Sequence, residues 1–297
     1  MAPYLFLFPS FAAAAFVGVP ATRGHSTARS STVVASAPEL YVYDHCPFCV
    51  RVRVAAGVLG VKHKLVFMGN DDVETPTSMV GKKIAPIWKD DDGPMMESLD
   101  IIDKFDTEKQ IKPASGRTDL KAWQKSVQTL MRKLQRPRYV MVPLPEFMQK
   151  AGRDAFVNNH QMPPYEKSDW KGNPDMALDF KYAKYEEAFG MTAELLPEAN
   201  AKVAELEDMI CCAECVSEGG FSYDDVDTWA PSPFISLHLP SSPFISLCAC
   251  RYDDVDTWAR LRSLTIIKGL VFPPKVRAYL DYYEAKADVP LYDVMAV

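Results

Sequence analysis

One short stretch constrains the whole chain. Cys46-Pro47-Phe48-Cys49 directly follows a run of strand character over residues 39–43. Pro47 fits the first position of a helix, where its missing N–H costs nothing. Residues 50–59 continue with apolar side chains and spaced arginines, the pattern of an amphipathic helix. Strand, turn and helix therefore place Cys46 at a helix N-terminus. Unpaired N–H groups and the helix dipole favour an anion there. A thiolate in that setting has a lowered pKa, so more of it is reactive near neutral pH. Cys49 lies one turn further on, on the same face, able to attack a disulfide formed at Cys46.

A Cys-x-x-Cys pair can also be half of a zinc site, and Cys212-x-x-Cys215 offers a nominal second half. The gap between them far exceeds the roughly 15–20 residues usual in zinc ribbons. A purely structural disulfide fits poorly with a proline inside the motif at a strand–helix junction. Seven cysteines in 297 residues form no regular framework, so a disulfide-stapled secreted fold is not expected. The net charge of −6 gives no argument for nucleic-acid binding.

The first residues differ in kind from the rest. No Asp or Glu occurs before Glu39. Residues 4–19 are apolar and interrupted by Pro9, and Arg23, His25 and Arg29 follow among Ser, Thr and Ala. The segment is too short for a membrane span. An acid-free leader of this composition reads as a targeting segment over residues 1–37. Its order resembles the bipartite leaders of proteins sent to complex algal plastids. A mitochondrial or secretory address is the alternative, and cleavage is expected between Val33 and Glu39.

From residue 38 the pattern is β-α-β-α-β-β-α. Strands are expected over 39–43, 62–68, 82–89 and 95–96. Helices are expected over 47–60, from 70 to about 80, and over 97–105. Gly60 serves as a helix stop. The first strand–helix–strand unit implies a parallel pair. This is the thioredoxin-fold plan, assigned to residues 38–106. The segments YDHCPFC, NDDVETPTSMVGKK, the Ala85-Pro86 turn and ESLDIIDKFD carry a more specific likeness. In them the chain resembles the two-domain, glutathione-transferase-like glutaredoxins, the glutaredoxin-2 family. Where that family has Val-Pro, this chain has Ala85-Pro86.

Residues 107–115 read as a linker, and 116–297 as an all-helical, glutathione-transferase-like domain. Helices are expected over 120–136, 144–157, 175–196 and 199–212, with a polar loop over 160–174. Tyr-Asp-Asp-Val-Asp-Thr-Trp-Ala then occurs at 223–230 and again at 252–259, and Ser-Pro-Phe-Ile-Ser-Leu at 232–237 and 242–247. Two copies without a repeated core unit do not make a solenoid. The reading is a duplication that forms a surface loop over about 231–251. A helix is expected from Asp253 or Asp254 through Lys268. Ser222 and Asp225 would make a capping box in the first copy; Arg251 replaces the serine in the second.

The resemblance implies glutathione-dependent thiol–disulfide exchange. Cys46 is the nucleophile, and Cys49 or a second glutathione resolves the mixed disulfide. Pro86 would be cis, turning the Ala85 backbone toward glutathione. Glu97 and Ser98 at a helix start suit the γ-glutamyl group, and Lys83 and Arg51 are candidates for the glycyl carboxylate. His45 reads as a neutral residue lining the turn, with a charged partner to the thiolate as the alternative. Asp72 and Glu74 read as helix-start charges.

Cys211, Cys212 and Cys215 at a helix end and Cys248 and Cys250 in the loop have the ligand type of a metal site; they read instead as small buried hydrophobes, and no metal is expected. The expected partners are glutathione and disulfide-bonded or glutathionylated proteins, with neither membrane nor nucleic acid, and the chain as a monomer. The rival readings are a glutathione transferase or dehydroascorbate reductase, and a non-enzymatic iron–sulfur carrier bridged by glutathione. A chloride-channel-like branch also carries a Cys-Pro-Phe run. Arg51, Arg53, Lys62, His63 and Lys64 make residues 50–67 too charged to span a membrane.

Overall fold

The central strand β1 (Glu39–Val42) takes neighbours on both sides. On one side lies β2 (Lys64–Phe67), parallel, with Leu40 opposite Leu65. On the other lies β3 (Ile87–Asp90), antiparallel, with Leu40 opposite Trp88. Then comes β4 (Gly93–Met96), antiparallel to β3, with Met96 opposite Ile87. The order β2-β1-β3-β4 is that of a thioredoxin-like sheet. The computed structural model describes residues 36–112, 117–217 and 252–297, with side chains from Thr257 onward in the last segment. Residues 1–35 of the expected leader, residues 113–116 and the expected loop at 231–251 lie outside the described residues.

Helix α1 (Pro47–Val58) follows β1, α2 (Glu74–Val80) precedes β3, and α3 (Ser98–Phe105) follows β4. Asp72 acts at the start of α2, its Oδ1 accepting from the Thr75 N–H at 2.9 Å. The rest is helical: α4 (Asp119–Tyr139), α5 (Lys150–Asn159), α6 (Lys167–Trp170), α7 (Leu178–Gly190), α8 (Thr192–Ala204), α9 (Leu206–Met209), α10 (Tyr252–Leu264) and α11 (Pro274–Ala287).

Several boundaries differ from the sequence expectation. The strand expected over 82–89 pairs only from Ile87, because the chain bends through a cis Ala85–Pro86 bond before joining the sheet. The helix expected over 144–157 divides into a 3₁₀ turn, Pro145–Phe147, and α5. The break expected near Pro197 falls instead at Met191, and Pro197 is carried inside α8. Helix α10 ends at Leu264 rather than Lys268. Thr265 turns there, its hydroxyl donating to Arg262 O at 2.8 Å and accepting the Tyr292 N–H at 2.8 Å.

The largest departure concerns α1. Its spaced arginines promised a solvated face, yet Arg51 and Arg53 are both buried. Helix α3 packs against α1, and α10 and α11 from the helical half pack against it as well. Gly57 permits that second contact, since a Cβ there would come 2.3 Å from the Ala287 carbonyl oxygen. With α1 buried from Cys49 through Ala56, the turn that carries Cys46 is held against the core, while Phe48 on the same turn stays exposed.

Candidate active site

Three loops meet at one edge of the sheet. The chain leaves β1 into Asp44-His45-Cys46, enters β3 from Ala85-Pro86, and leaves β4 into Glu97-Ser98. Register places them side by side, because β1 and β4 both pair with β3 at Ile87. Cys46 caps α1 in extended conformation, and its carbonyl accepts the Val50 N–H at 3.0 Å. Cys46 is partly exposed, while Cys49 is fully buried with the Tyr43 N–H 3.4 Å from its sulfur.

The two thiols are driven apart. The hydrogen bond from Cys49 does most to lower the Cys46 pKa, burial opposes it, and the His45 charge and the Cys49 and Phe48 N–H groups assist; the result is about 6. Burial first, and then the neighbouring Cys46, push Cys49 well above the ordinary thiol value. One thiol is thus an attacking group near neutral pH, and the other stays protonated until Cys46 has reacted.

His45 does line the turn, but a buried acid stands behind it. Glu146 Oε1 lies 2.6 Å from His45 Nδ1 and accepts the His45 backbone N–H at 2.8 Å. Burial works to raise the Glu146 pKa, yet the bond from the His45 ring and its charge hold it below the ordinary value. An ionised carboxylate only accepts, so Nδ1 carries the proton. Rings of Phe147, Phe156 and Tyr139 enclose the imidazole at centroid distances of 5.0, 5.1 and 5.3 Å.

Asp44 anchors the same turn to the helical half. Its carboxylate accepts from Arg53 and, at 3.1 and 3.2 Å, from Arg262 on α10. Burial works to raise it, but the charges of Arg262 and Arg53 prevail and lower its pKa to about 2. Tyr292 completes the cluster, donating to Asp44 O at 2.8 Å and accepting from Arg262 at 2.6 Å.

Cys46 opens onto two connected hollows. The first, about 550 Å³, is lined by Lys83, Ala85, Arg132, Arg136, Lys167 and Lys171 together with uncharged residues, and among the described residues by no Asp or Glu. Burial lowers the pKa of Lys83, Arg132 and Arg136, so each charge there is costly until an anion arrives. His160 lies at the junction of both hollows. Burial lowers its pKa to about 3, so its ring is neutral. The second hollow, about 1040 Å³, runs between the start of α1 and α4 and α10; Trp123, Val127, Met131, Leu261 and Leu264 give it an apolar wall.

The structure brings Cys46, Lys83 and Ala85 together around the first hollow. Lys83 also donates to Asn70 O. Glu97 and Ser98 stand at the same sheet edge but outside that lining. Glu97 is exposed, 3.6 Å from Lys82, with a positive φ of 73°. Arg51 is corrected: at 1% exposure it has no surface for a ligand carboxylate. Its Nη1 instead donates to Ser98 Oγ at 3.0 Å, bracing α3 against α1. Sequence reasoning missed Glu146, which meets His45 across 101 residues with no local signature. It also missed Arg132 and Arg136, which their spacing of four on α4 could have flagged as a paired cationic face.

Known proteins resemble this chain in sequence and in fold. The family described as "Glutaredoxin 2, C terminal domain" matches residues 240–296, and "Glutathione S-transferase, N-terminal domain" matches 40–113. Glutaredoxin 2 of Escherichia coli K12 is 27% identical over 270 residues, covering 87% of this chain and all of its own. By sequence, the family this chain resembles is glutaredoxin 2. A glutaredoxin 2 crystal structure from Salmonella typhimurium, in complex with glutathione, superposes with a TM-score of 0.67 over 88% of this chain and 99% of its own, at 23% identity. That likeness fixes the fold: a thioredoxin-like sheet domain joined to a helical, glutathione-transferase-like half. No described helix is long and apolar enough to cross a membrane.

Proposed function

We propose that the chain is a glutathione-dependent thiol–disulfide oxidoreductase acting through Cys46. One observation carries this reading: a thiol with its pKa near 6 opens onto a half-buried, cation-lined hollow with no acid among the described residues that line it. Glutathione has two carboxylates and one ammonium group, so it enters such a hollow as a net anion. The Ala85 backbone beside the cleft suits strand-like pairing with the tripeptide. Lys83, Arg132 and Arg136 suit its carboxylates, and the start of α3 at Glu97-Ser98 suits the γ-glutamyl end.

The steps follow from the two thiols. The Cys46 thiolate attacks the glutathione sulfur of a glutathionylated protein; the old S–S bond breaks, and the protein thiolate leaves and takes a proton. A second glutathione thiolate then attacks the glutathione sulfur of the Cys46 mixed disulfide. Glutathione disulfide departs, and Cys46 returns as thiolate. For a protein disulfide, Cys49 resolves the intermediate after losing its proton. Glu146 and His45 keep a donor-bearing ring beside Cys46 throughout.

The apolar wall of the second hollow favours one other reading, transfer of glutathione to an apolar acceptor. Incubation of the reduced protein with oxidised glutathione, followed by peptide mass spectrometry, separates the two. A glutathione adduct on Cys46, with turnover of a glutathionylated peptide and none with electrophilic acceptors, is the expected result. Transferase turnover without disulfide reduction overturns the proposal. The leader remains part of the proposal as a plastid address, tested by N-terminal sequencing of the protein from its native cell.

A further inference from the structure

Beyond α9 the chain makes a tight hairpin that the proposed reaction does not use. Cys211 N–H donates to Val216 O at 3.1 Å, Cys212 N–H to Cys215 O at 3.0 Å, and Cys215 N–H to Cys212 O at 3.4 Å. The turn is tied down from outside. Tyr283 donates to the Glu214 carbonyl at 2.8 Å, and Lys275 Nζ to Ile210 O at 3.3 Å. The Sγ atoms of Cys211, Cys212 and Cys215 all lie within 4.8 Å of one another, those of Cys212 and Cys215 at 2.9 Å. They do not sit as three buried hydrophobes: Cys215 is buried, Cys212 is half-buried and Cys211 is exposed.

We propose that this hairpin is a zinc site, with Cys211, Cys212 and Cys215 as three thiolate ligands and the fourth position left to a ligand from solution. Zinc–sulfur bonds of about 2.3 Å set tetrahedral sulfurs about 3.8 Å apart. The Cys212 and Cys215 sulfurs, at 2.9 Å, need only move apart to reach that spacing, and all three sulfurs already lie within 4.8 Å of one another. Each thiol gives its proton to solvent as its bond to zinc forms, and no electron changes hands. Thiolates select a soft, thiophilic ion over magnesium or calcium. Exposed Cys211 gives the ion an entry path, and the hairpin bonds and Tyr283 hold the backbone ready.

The full-length chain with Cys46→Ser and Cys49→Ser removes the competing thiol pair. Reduced and titrated with Co²⁺, it is expected to bind one equivalent with a thiolate-to-cobalt charge-transfer band, displaced by Zn²⁺. Replacing Cys211, Cys212 and Cys215 by serine abolishes the band, and Cys248→Ser with Cys250→Ser leaves it intact. Retention in the first variant or loss in the second overturns the proposal. A second measurement needs no substitution in the hairpin: with Zn²⁺, alkylation of Cys211 and Cys212 by iodoacetamide slows about tenfold or more, since a metal-bound thiolate is a masked nucleophile. Unchanged alkylation, or a Cys212–Cys215 disulfide that forms with oxidised glutathione equally fast with and without zinc, overturns it as well.

Discussion

Cys46 and Cys49 share the first turn of a helix, whereas Cys212 and Cys215 face each other across a two-residue hairpin turn. Both pairs have the same spacing, and in both the second cysteine is buried and the first is partly exposed. Their surroundings decide what each can do. The first pair has a histidine backed by a buried carboxylate, a helix start and a hollow lined with cations. Those features stabilise a lone thiolate and admit an anionic thiol. The second pair has a third sulfur within reach and a hairpin fastened to α11. A third sulfur favours shared coordination over exchange. A Cys-x-x-Cys spacing therefore reports that two sulfurs can meet, and the backbone and charges around them select the chemistry.

The sharpest way to break this comparison is to remove each pair in turn. Cys46→Ser is expected to drop turnover of a glutathionylated peptide to the rate of free glutathione alone. Cys49→Ser retains a substantial part, because glutathione itself resolves the intermediate. Cys212→Ser and Cys215→Ser leave turnover as it was. Equal losses in Cys46→Ser and Cys49→Ser would remove the single-thiol route, and a loss in Cys212→Ser would join the two pairs in one reaction.

The next effect is on stability. Asp44 ties the first pair's turn to α1 through Arg53 and to α10 through Arg262, both guanidinium groups being buried. Asp44→Asn leaves Arg53 and Arg262 without their anion. Breaking such a buried cluster costs about 3 kcal/mol or more, read as a lower denaturation midpoint in urea. Cys212 is held in a surface hairpin and forms no part of that buried ion cluster, so Cys212→Ser should move the midpoint far less.

A smaller effect tests the charge behind Cys46. Glu146→Gln removes the anion that His45 faces, so the ring supports the thiolate less well. The midpoint for Cys46 alkylation, expected near the lowered thiol pKa of about 6 in the intact protein, should rise by about one unit. An unchanged midpoint would confine Glu146 to packing. The linkage has a definite sign. Cys46 is lowered from its ordinary value of 9.0 to about 6, so its ionisation favours the folded form. That gain is complete above about 9 and fades as pH falls through about 6. Reduced protein should therefore gain stability over Cys46→Ser as pH rises through that window.

Much of this was written locally. The strand, the turn and Pro47 placed Cys46 at a helix start, and the succession of strands and helices along residues 38–106 followed from short, well-punctuated segments. What escaped depends on distant packing. Arg51 and Arg53 look like a solvated face until α10 and α11 are known to cover α1, and no spacing rule links them to Ser98 and Asp44. Glu146 sits in a 3₁₀ turn that periodicity reads as helix, and its partner lies 101 residues away. The three sulfurs of the hairpin were visible as residues, but their convergence needed the reversal at Ala213-Glu214.

The smallest expected effect concerns the repeat. A chain lacking residues 231–259 joins 223–230 to Arg260. Those eight residues repeat 252–259, so α10 keeps its sequence from its first residue through Leu264. Trp229 then takes the place of Trp258, which is fully buried and donates to Leu280 O at 3.0 Å. Arg262 keeps its hold on Asp44 in the active-site turn. Ser222 enters ahead of Asp225 as a capping residue, a gain of about 1 kcal/mol at most. Disulfide reduction should be unchanged and the unfolding midpoint equal or slightly higher. The deletion also removes Cys248 and Cys250 while leaving Cys211, Cys212 and Cys215, so one equivalent of cobalt should still bind. Unfolding would make the repeat part of the core. Loss of cobalt alone, with activity intact, would return the hairpin to an ordinary Cys-x-x-Cys turn and leave the first pair as it stands.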